Sequence, residues 1–225
     1  MITAHIATLP EREESLKQVL DAIIPQVDKV YVGLNGYEKV PDWLRDLRGV
    51  NHEILDNSLG DGAKWIHTMD EPSFCITLDD DLICAPNFVK YMLYGLEKYG
   101  GAVSLHGRNY ANRLIQSFKR SITSVYRCLG SVEEDTKVDL LGTGCTIFDN
   151  TQIIIDSSVY EHKNMADVLF SRLCFRQRKP MTVLAHHTGQ FVTYIPQEKT
   201  IWRETKDDSV QTKILNEFLY NWGVI

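Results

Sequence analysis

The stretch CITLDDDLICAP, residues 75–86, sets three acids in a row, Asp79, Asp80 and Asp81, inside an apolar run. Residues i and i+2 of a strand share a face. Asp79 and Asp81 are therefore expected to point one way, with Asp80 opposed unless the strand has already ended. Two carboxylates that close cannot both stay ionised in a dry site unless a cation lies between them. With no paired Cys or His spacing nearby, hard oxygen ligands suit Mn²⁺ or Mg²⁺. A solvated turn is the bland alternative. It is disfavoured here because an apolar strand leads in and Pro86 follows, which puts the acids at a strand's carboxyl end, where open α/β sheets bind ligands. A weaker motif is SLGDGAKW, residues 58–65. Its glycines allow close backbone approach and Lys64 can neutralise a phosphate, although Gly-Asp-Gly is most often a turn.

The elements that must hold these residues alternate. ITAHIATL reads as a strand. Thr8 and Glu11 match a capping box, with Pro10 in the first turn, and Leu16, Val19, Leu20, Ile23 and Ile24 share one helical face. KVYVGLNG and HEILD are further strands. This βαβ opening favours a parallel sheet covered by helices. FCITLDDDLI is the next strand, followed by a helix opened by Pro86 that carries Val89, Met92, Leu93 and Leu96 and ends at Gly100-Gly101. AVSLHG is another strand. Residues 107–137 are polar and weakly periodic, and read as a long loop or partly ordered insertion. VDLLGTGCTIFD returns to strand character. Asn164 is expected to cap a helix running to about Lys179, MTVLAHHTG is a late strand, and Val210 to Trp222 form a last amphipathic helix.

With 225 residues, 44% of them apolar, the chain can bury one sizeable core, and no linker or repeat divides it. The expected organisation is one α/β domain with a mostly parallel central sheet flanked by helices. Net charge is −6 with no Lys/Arg block, which argues against nucleic acid as a partner. No apolar stretch is long enough to span a bilayer, and the first residues lack the pattern of a signal peptide. The five cysteines (75, 84, 128, 145, 174) have no CxxC pair and are expected to be reduced, buried thiols of a cytoplasmic protein.

Taken together, IATLPERE, VDKVYVGLNGY, GDGAKW, ITLDDDLICAPNFV, LGTGCTIFD, NMADVLFSRL and DDSVQTKILN are collinear over nearly the whole chain. They resemble the bacterial family 2-like glycosyltransferases of the GT-A fold, of the surface or capsular polysaccharide type. The resemblance implies a nucleotide-sugar donor, usually a UDP-sugar, a divalent cation (Mn²⁺ or Mg²⁺), a glycan acceptor and transfer with inversion. It implies that Asp81 binds metal and that Asp79 holds ribose or metal waters, with Asp80 in the same donor motif. Thr8, Arg12 and Asn35 match positions near the nucleoside, Asp61 and Lys64 the loop beside base and phosphates, and Asp167 of NMAD the catalytic base. His186 or His187 matches a late metal contact, and the adjacent pair leaves the choice open. Arg108, with Gly142 and Thr143, is expected to meet the acceptor, and Arg203 to meet phosphate if the C-terminal loop folds over the donor. Residues 1–106 would form the nucleotide-sugar half and 107–225 the acceptor half, with peripheral association allowed for a membrane-bound acceptor. One departure from the family pattern is the missing aromatic after the acid motif, where Ile83 and Cys84 stand.

By spacing alone Asp167 reads as a capping acid three residues after Asn164. The resemblance favours the base instead, and Asp139, Asp149 and Glu161 are the reserves. Three rivals remain. A haloacid-dehalogenase-type phosphatase would use Asp79 and Asp81, but its acids normally open the first strand. A sugar nucleotidyltransferase needs a Gly-rich, basic loop after the first strand, and TLPEREE is not one. A non-catalytic nucleotide-sugar or glycan-binding module would have no need of Asp81 and Asp167. His5, His52 and His67, and Trp43, Trp65, Trp202 and Trp222, read as structural or solvent-facing.

Overall fold

The computed structural model describes residues 1–110, 114–197 and 207–219. Strand β1, Ile2–Thr8, leads through a 3₁₀ turn at Pro10–Arg12 into helix α1, Glu13–Ile23. The expected capping box does not form. Thr8 is still strand, and Pro10 tightens the backbone so that the α-helix starts at Glu13, with no side-chain cap from Arg12. The apolar face holds: Leu16, Val19, Leu20 and Ile23 are all buried. Strand β2, Lys29–Asn35, the short helix α2, Asp42–Arg45, and β3, Val50–Leu55, complete the βαβ opening. A 3₁₀ segment over Gly60–Trp65 follows, then β4, Phe74–Asp79, β5, Leu82–Cys84, and α3, Phe88–Tyr99.

The second half contains β6, Ala102–Ser104, β7, Gly107–Tyr110, β8, Ile122–Tyr126, β9, Thr136–Lys137, β10, Leu140–Leu141, and β11, Cys145–Asp149. Helix α4, Ala166–Arg176, strands β12, Met181–Val183, and β13, Val192–Tyr194, and helix α5, Ser209–Leu219, close the order. The stretch expected to be a loop, 107–137, instead carries the antiparallel pair β7–β8 and the strand β9. Ala111–Arg113, Trp202, Arg203 and Trp222 lie outside the described residues.

The main sheet has the order β3-β2-β1-β4-β11-β6-β12-β9. β1, β2, β3 and β4 run parallel, as do β6 and β12, while β11 and β9 pair antiparallel with their neighbours. Both faces are covered, as a parallel sheet requires. On one face Ile6, Val32, Ile76 and Leu78 pack with Leu16 and Leu20 of α1 and with Phe88 and Met92 of α3. On the other, Cys75, Ala102 and Phe148 pack with Trp65 and with Phe170 and Leu173 of α4. Trp65 is wholly buried and stacks on Phe170 at 4.9 Å between ring centres, so its role is packing. No described helix is long and apolar enough to cross a membrane.

Candidate functional site

The register of the parallel strands gathers the site. Ala7 of β1 lies beside Asp79 of β4, and Thr8 beside Leu34 of β2, so Thr8, Asn35 and the acid triplet meet at the carboxyl ends of three neighbouring strands. β4 stops at Asp79, and its pleat decides the pairing. Ile76 and Leu78 face α1, whereas Cys75, and therefore Asp79, face the side of Lys64. Lys64 Nζ sits 2.7 Å from Asp79 Oδ1, while Arg12 Nη1 lies 2.6 Å from Asp80 and 3.4 Å from Asp81. The expectation that Asp79 and Asp81 share one strand face is corrected: the strand has ended, and Asp81 turns with Asp80 toward Arg12.

The charges follow from this split. Burial opposes ionisation of Asp79, but the charge and hydrogen bond of Lys64 outweigh it and hold the carboxyl below its usual range. Asp81 is pushed up to about 7, first by burial and then by Asp79 and Asp80. Lys64 is itself buried, and Asp79 and Asp61 raise its pKa against its own desolvation. Its ammonium is thus committed to Asp79 rather than held free for a phosphate. Gly144 completes this corner. Asp79 N–H donates to Gly144 O at 2.9 Å, and a Cβ at Gly144 would overlap the Asp79 carboxylate.

GDGAKW and NMAD prove to be one physical unit. A Cβ at Gly60 (φ +58°) would strike the side chains of Asn164 and Lys163, and Asn164 Oδ1 accepts the Asp61 N–H at 3.3 Å. The Asp61 carboxylate in turn accepts the Ala166 N–H at 3.3 Å and so closes the N-terminus of α4. The expected Asn164 cap is therefore corrected: Asn164 has φ +59°, and Asp61 supplies the cap from across the chain. Burial pushes the Asp61 carboxyl up to about 7. Because Asp61 does the capping, the capping role weighed for Asp167 is free to lapse. Asp167 Oδ1 accepts both the N–H and the hydroxyl of Thr143 at 2.8 Å, and Oδ2 faces Arg108 at 3.8 Å. The reserve acids are engaged elsewhere: Asp139 with Tyr110 N–H, Asp149 with Thr151, and Glu161 with Arg172.

A cleft of about 880 Å³ joins these groups. Thr8, Arg12, Asn35, Asp61, Lys64 and the acid triplet line it, together with Arg108, Thr143 and Asp167. Asn35 Nδ2 donates to Gly60 O at 2.9 Å, which fixes the amide orientation and leaves its buried Oδ1 without a partner among the described residues. Gly142 does not line the cleft. Its N–H and C=O are used by His106 and by Ser104 and Thr146, and a Cβ there would strike the His106 ring. Thr143 lines the cleft, but its polar groups hold Asp167. The two histidines proposed for metal are also corrected. Both ring nitrogens of buried His186 face carbonyl oxygens, of Leu184 at 2.7 Å and Arg127 at 3.0 Å, and His187 is exposed outside the cleft.

Sequence reasoning passed over Gln211 of α5, which lines the cleft although 7% exposed. The available signal was a polar residue on the apolar stripe of Ile214, Leu215 and Phe218.

The site fits a hard divalent cation by its donor set. Six acids line the cleft against five Lys and Arg among the described residues, and one guanidinium, Arg12, serves both Asp80 and Asp81. No group of three or more His, Cys, Asp or Glu is placed to enclose a metal among the described residues. One or two carboxylates completed by substrate phosphates is how Mg²⁺-type ions are commonly held.

No protein-family model matches the chain, and no curated protein sequence does. Solved structures do. S. aureus TarS 1–349 in complex with UDP-GlcNAc superposes with TM-score 0.62 at 15% identity, over 97% of this chain and 71% of that one. S. aureus TarS 1–349 in a second crystal structure gives 0.53 at 13% identity, over 85% and 59%. The 4-diphosphocytidyl-2C-methyl-D-erythritol synthase of Anaerococcus prevotii gives 0.54 at 13% identity, over 98% of both chains. The chain has the GT-A fold, as its motifs led one to expect.

Proposed function

We propose that this protein is an inverting, metal-dependent glycosyltransferase that moves a sugar from a nucleoside-diphosphate donor, a UDP-sugar, to a glycan acceptor. The observation that carries the reading is one cleft lined both by Asp79–Asp81 with Arg12 and Lys64 and by Asp167, whose Oδ1 is held by Thr143 while Oδ2 faces Arg108 at 3.8 Å. The likeness to a TarS structure bound to UDP-GlcNAc supports the donor class.

Asn35 Oδ1, a buried acceptor at the end of β2, has no hydrogen-bond partner among the described residues. It suits an N–H of the base, such as uracil N3–H, and would leave a cytosine N3 unmatched. Asp79 and Asp81 would hold the cation, which supplies neutralising charge to the departing diphosphate. Arg12 fixes Asp80 and Asp81 in place for this.

In the transfer step the acceptor hydroxyl oxygen bonds to the anomeric carbon and the bond from that carbon to the diphosphate oxygen breaks. The hydroxyl proton goes to Asp167 Oδ2, and the electron pair leaves with the nucleoside diphosphate. One in-line displacement inverts the anomeric centre. Thr143 pins Oδ1, so Oδ2 is the oxygen presented.

A screen of nucleotide-sugars for Mn²⁺-dependent release of free nucleotide tests the reading. UDP released from one or more UDP-sugars is the expected result. Release of inorganic pyrophosphate from a nucleoside triphosphate, or hydrolysis of a generic phosphate monoester, would assign one of the rival chemistries instead.

A further inference from the structure

We propose that Gln211 is a specificity-determining residue for the acceptor, and that its Oε1 accepts a hydroxyl adjacent to the one that attacks. This rests on the glycosyltransferase reading above. Gln211 is 7% exposed, stands in the wall of the cleft, and its Oε1 has no hydrogen-bond partner among the described residues. It sits on the buried stripe of α5, where Ile214, Leu215 and Phe218 are apolar. An apolar side chain at 211 would serve packing better, because a buried carbonyl left unpaired costs stability. The occupant that satisfies it must bring a donor. A phosphate or carboxylate would be repelled, and an apolar group would leave the oxygen unmatched.

Position narrows the donor to the acceptor. Val168 and Leu169 of α4 pack against Ile214 and Leu215 of α5, so Asp167 and Gln211 stand in the first turns of two helices in contact. The start of α5 is held to the cleft's rim by side chains. Asp208 accepts from Ser117 Oγ and Lys119 N–H, and Thr212 Oγ1 accepts from Phe118 N–H, at 2.7 to 2.8 Å. Gln211 lies between these two anchors, which hold its backbone against the cleft's rim. A sugar carrying neighbouring hydroxyls would give one to Asp167 Oδ2 and the next to Gln211 Oε1.

The test compares wild type with Gln211→Met, a near-isostere without the acceptor, and with Gln211→Leu. UDP affinity with Mn²⁺ is measured by calorimetry, stability by thermal melting, and acceptor use by the increase in UDP release on adding methyl hexosides and methyl N-acetylhexosaminides. UDP affinity should hold within about twofold, melting should stay level or rise, and kcat/KM for the stimulating glycoside should fall about tenfold or more, chiefly through KM, as for one lost hydrogen bond. The deoxy form of that glycoside should be disfavoured by wild type and used equally by wild type and both variants. Equal use of the parent glycoside by all three proteins overturns the assignment. So does UDP binding with no glycoside stimulating wild type, or a lower melting temperature in both variants. Failure of wild type to bind UDP at all removes the donor reading beneath it.

Discussion

Asp167 Oδ1 takes both protons that Thr143 offers, the backbone N–H and the hydroxyl, each at 2.8 Å. One oxygen of the proposed base is thereby anchored to the loop between β10 and β11 while the other stays on the cleft. Thr143→Val keeps the volume and the N–H but removes the hydroxyl. Turnover should fall about tenfold, the effect of one charge-assisted hydrogen bond, with UDP affinity unchanged. Unchanged turnover in a steady-state assay would mean that the backbone N–H alone positions Asp167.

Gly144 is the next test. A Cβ there would occupy the space of the Asp79 carboxylate, so Gly144→Ala should swing Asp79 away from Lys64. Metal-dependent UDP binding should weaken at least about tenfold while the circular dichroism spectrum stays native. Binding equal to wild type by calorimetry would show that Asp79 can move without cost to the donor.

Asp81→Ala should abolish the Mn²⁺ dependence of UDP binding and leave the fold intact, since Asp81 is the acid of the triplet with the loosest ion pair, 3.4 Å to Arg12 against 2.6 Å for Asp80 and 2.7 Å from Asp79 to Lys64. Titration of UDP with and without Mn²⁺ decides it. Identical isotherms for the two proteins would remove Asp81 from the ligand set.

Asp61 gives a pH signature. Its folded carboxyl is pushed up to about 7, above the unfolded value near 3.8. The folded state therefore binds a proton that the unfolded state has released, and stability falls as pH rises from about 4 to about 7. Asp61→Asn keeps an acceptor for the Ala166 N–H but does not titrate. Its melting temperature should vary less across that window than that of wild type. Parallel pH profiles would show that Asp61 is ionised without penalty.

The parallel half of the sheet was legible in the sequence because each strand is a short apolar run bounded by a turn, and the helix faces of α1 and α3 because their apolar residues repeat at helical spacing. The β7–β8 hairpin was not. ITSVY alternates only between half-buried and exposed positions, so it lacks the apolar face that marks a core strand. The acid triplet was singled out by residue type and order, and Asp167 by the family resemblance. Their pairing was not, because it depends on where β4 ends. His186 stands in the order expected of a metal ligand but is spent on two carbonyls, a contact between distant segments that no local pattern reveals. Asp61 capping α4 is of the same kind, with donor and acceptor 105 positions apart.

The proposed chemistry turns on one proton. Asp167→Asn preserves an oxygen for Thr143 and the shape of the site but cannot accept the acceptor's proton. Sugar transfer, measured beside UDP–Mn²⁺ affinity and melting temperature on the same preparation, should fall by about two to four decades, the usual size of a general-base contribution. Affinity should hold within about twofold, and stability should change by no more than about 1 kcal/mol. Near-normal transfer by Asp167→Asn would contradict the mechanism and leave Asp167 with the task of bracing Thr143.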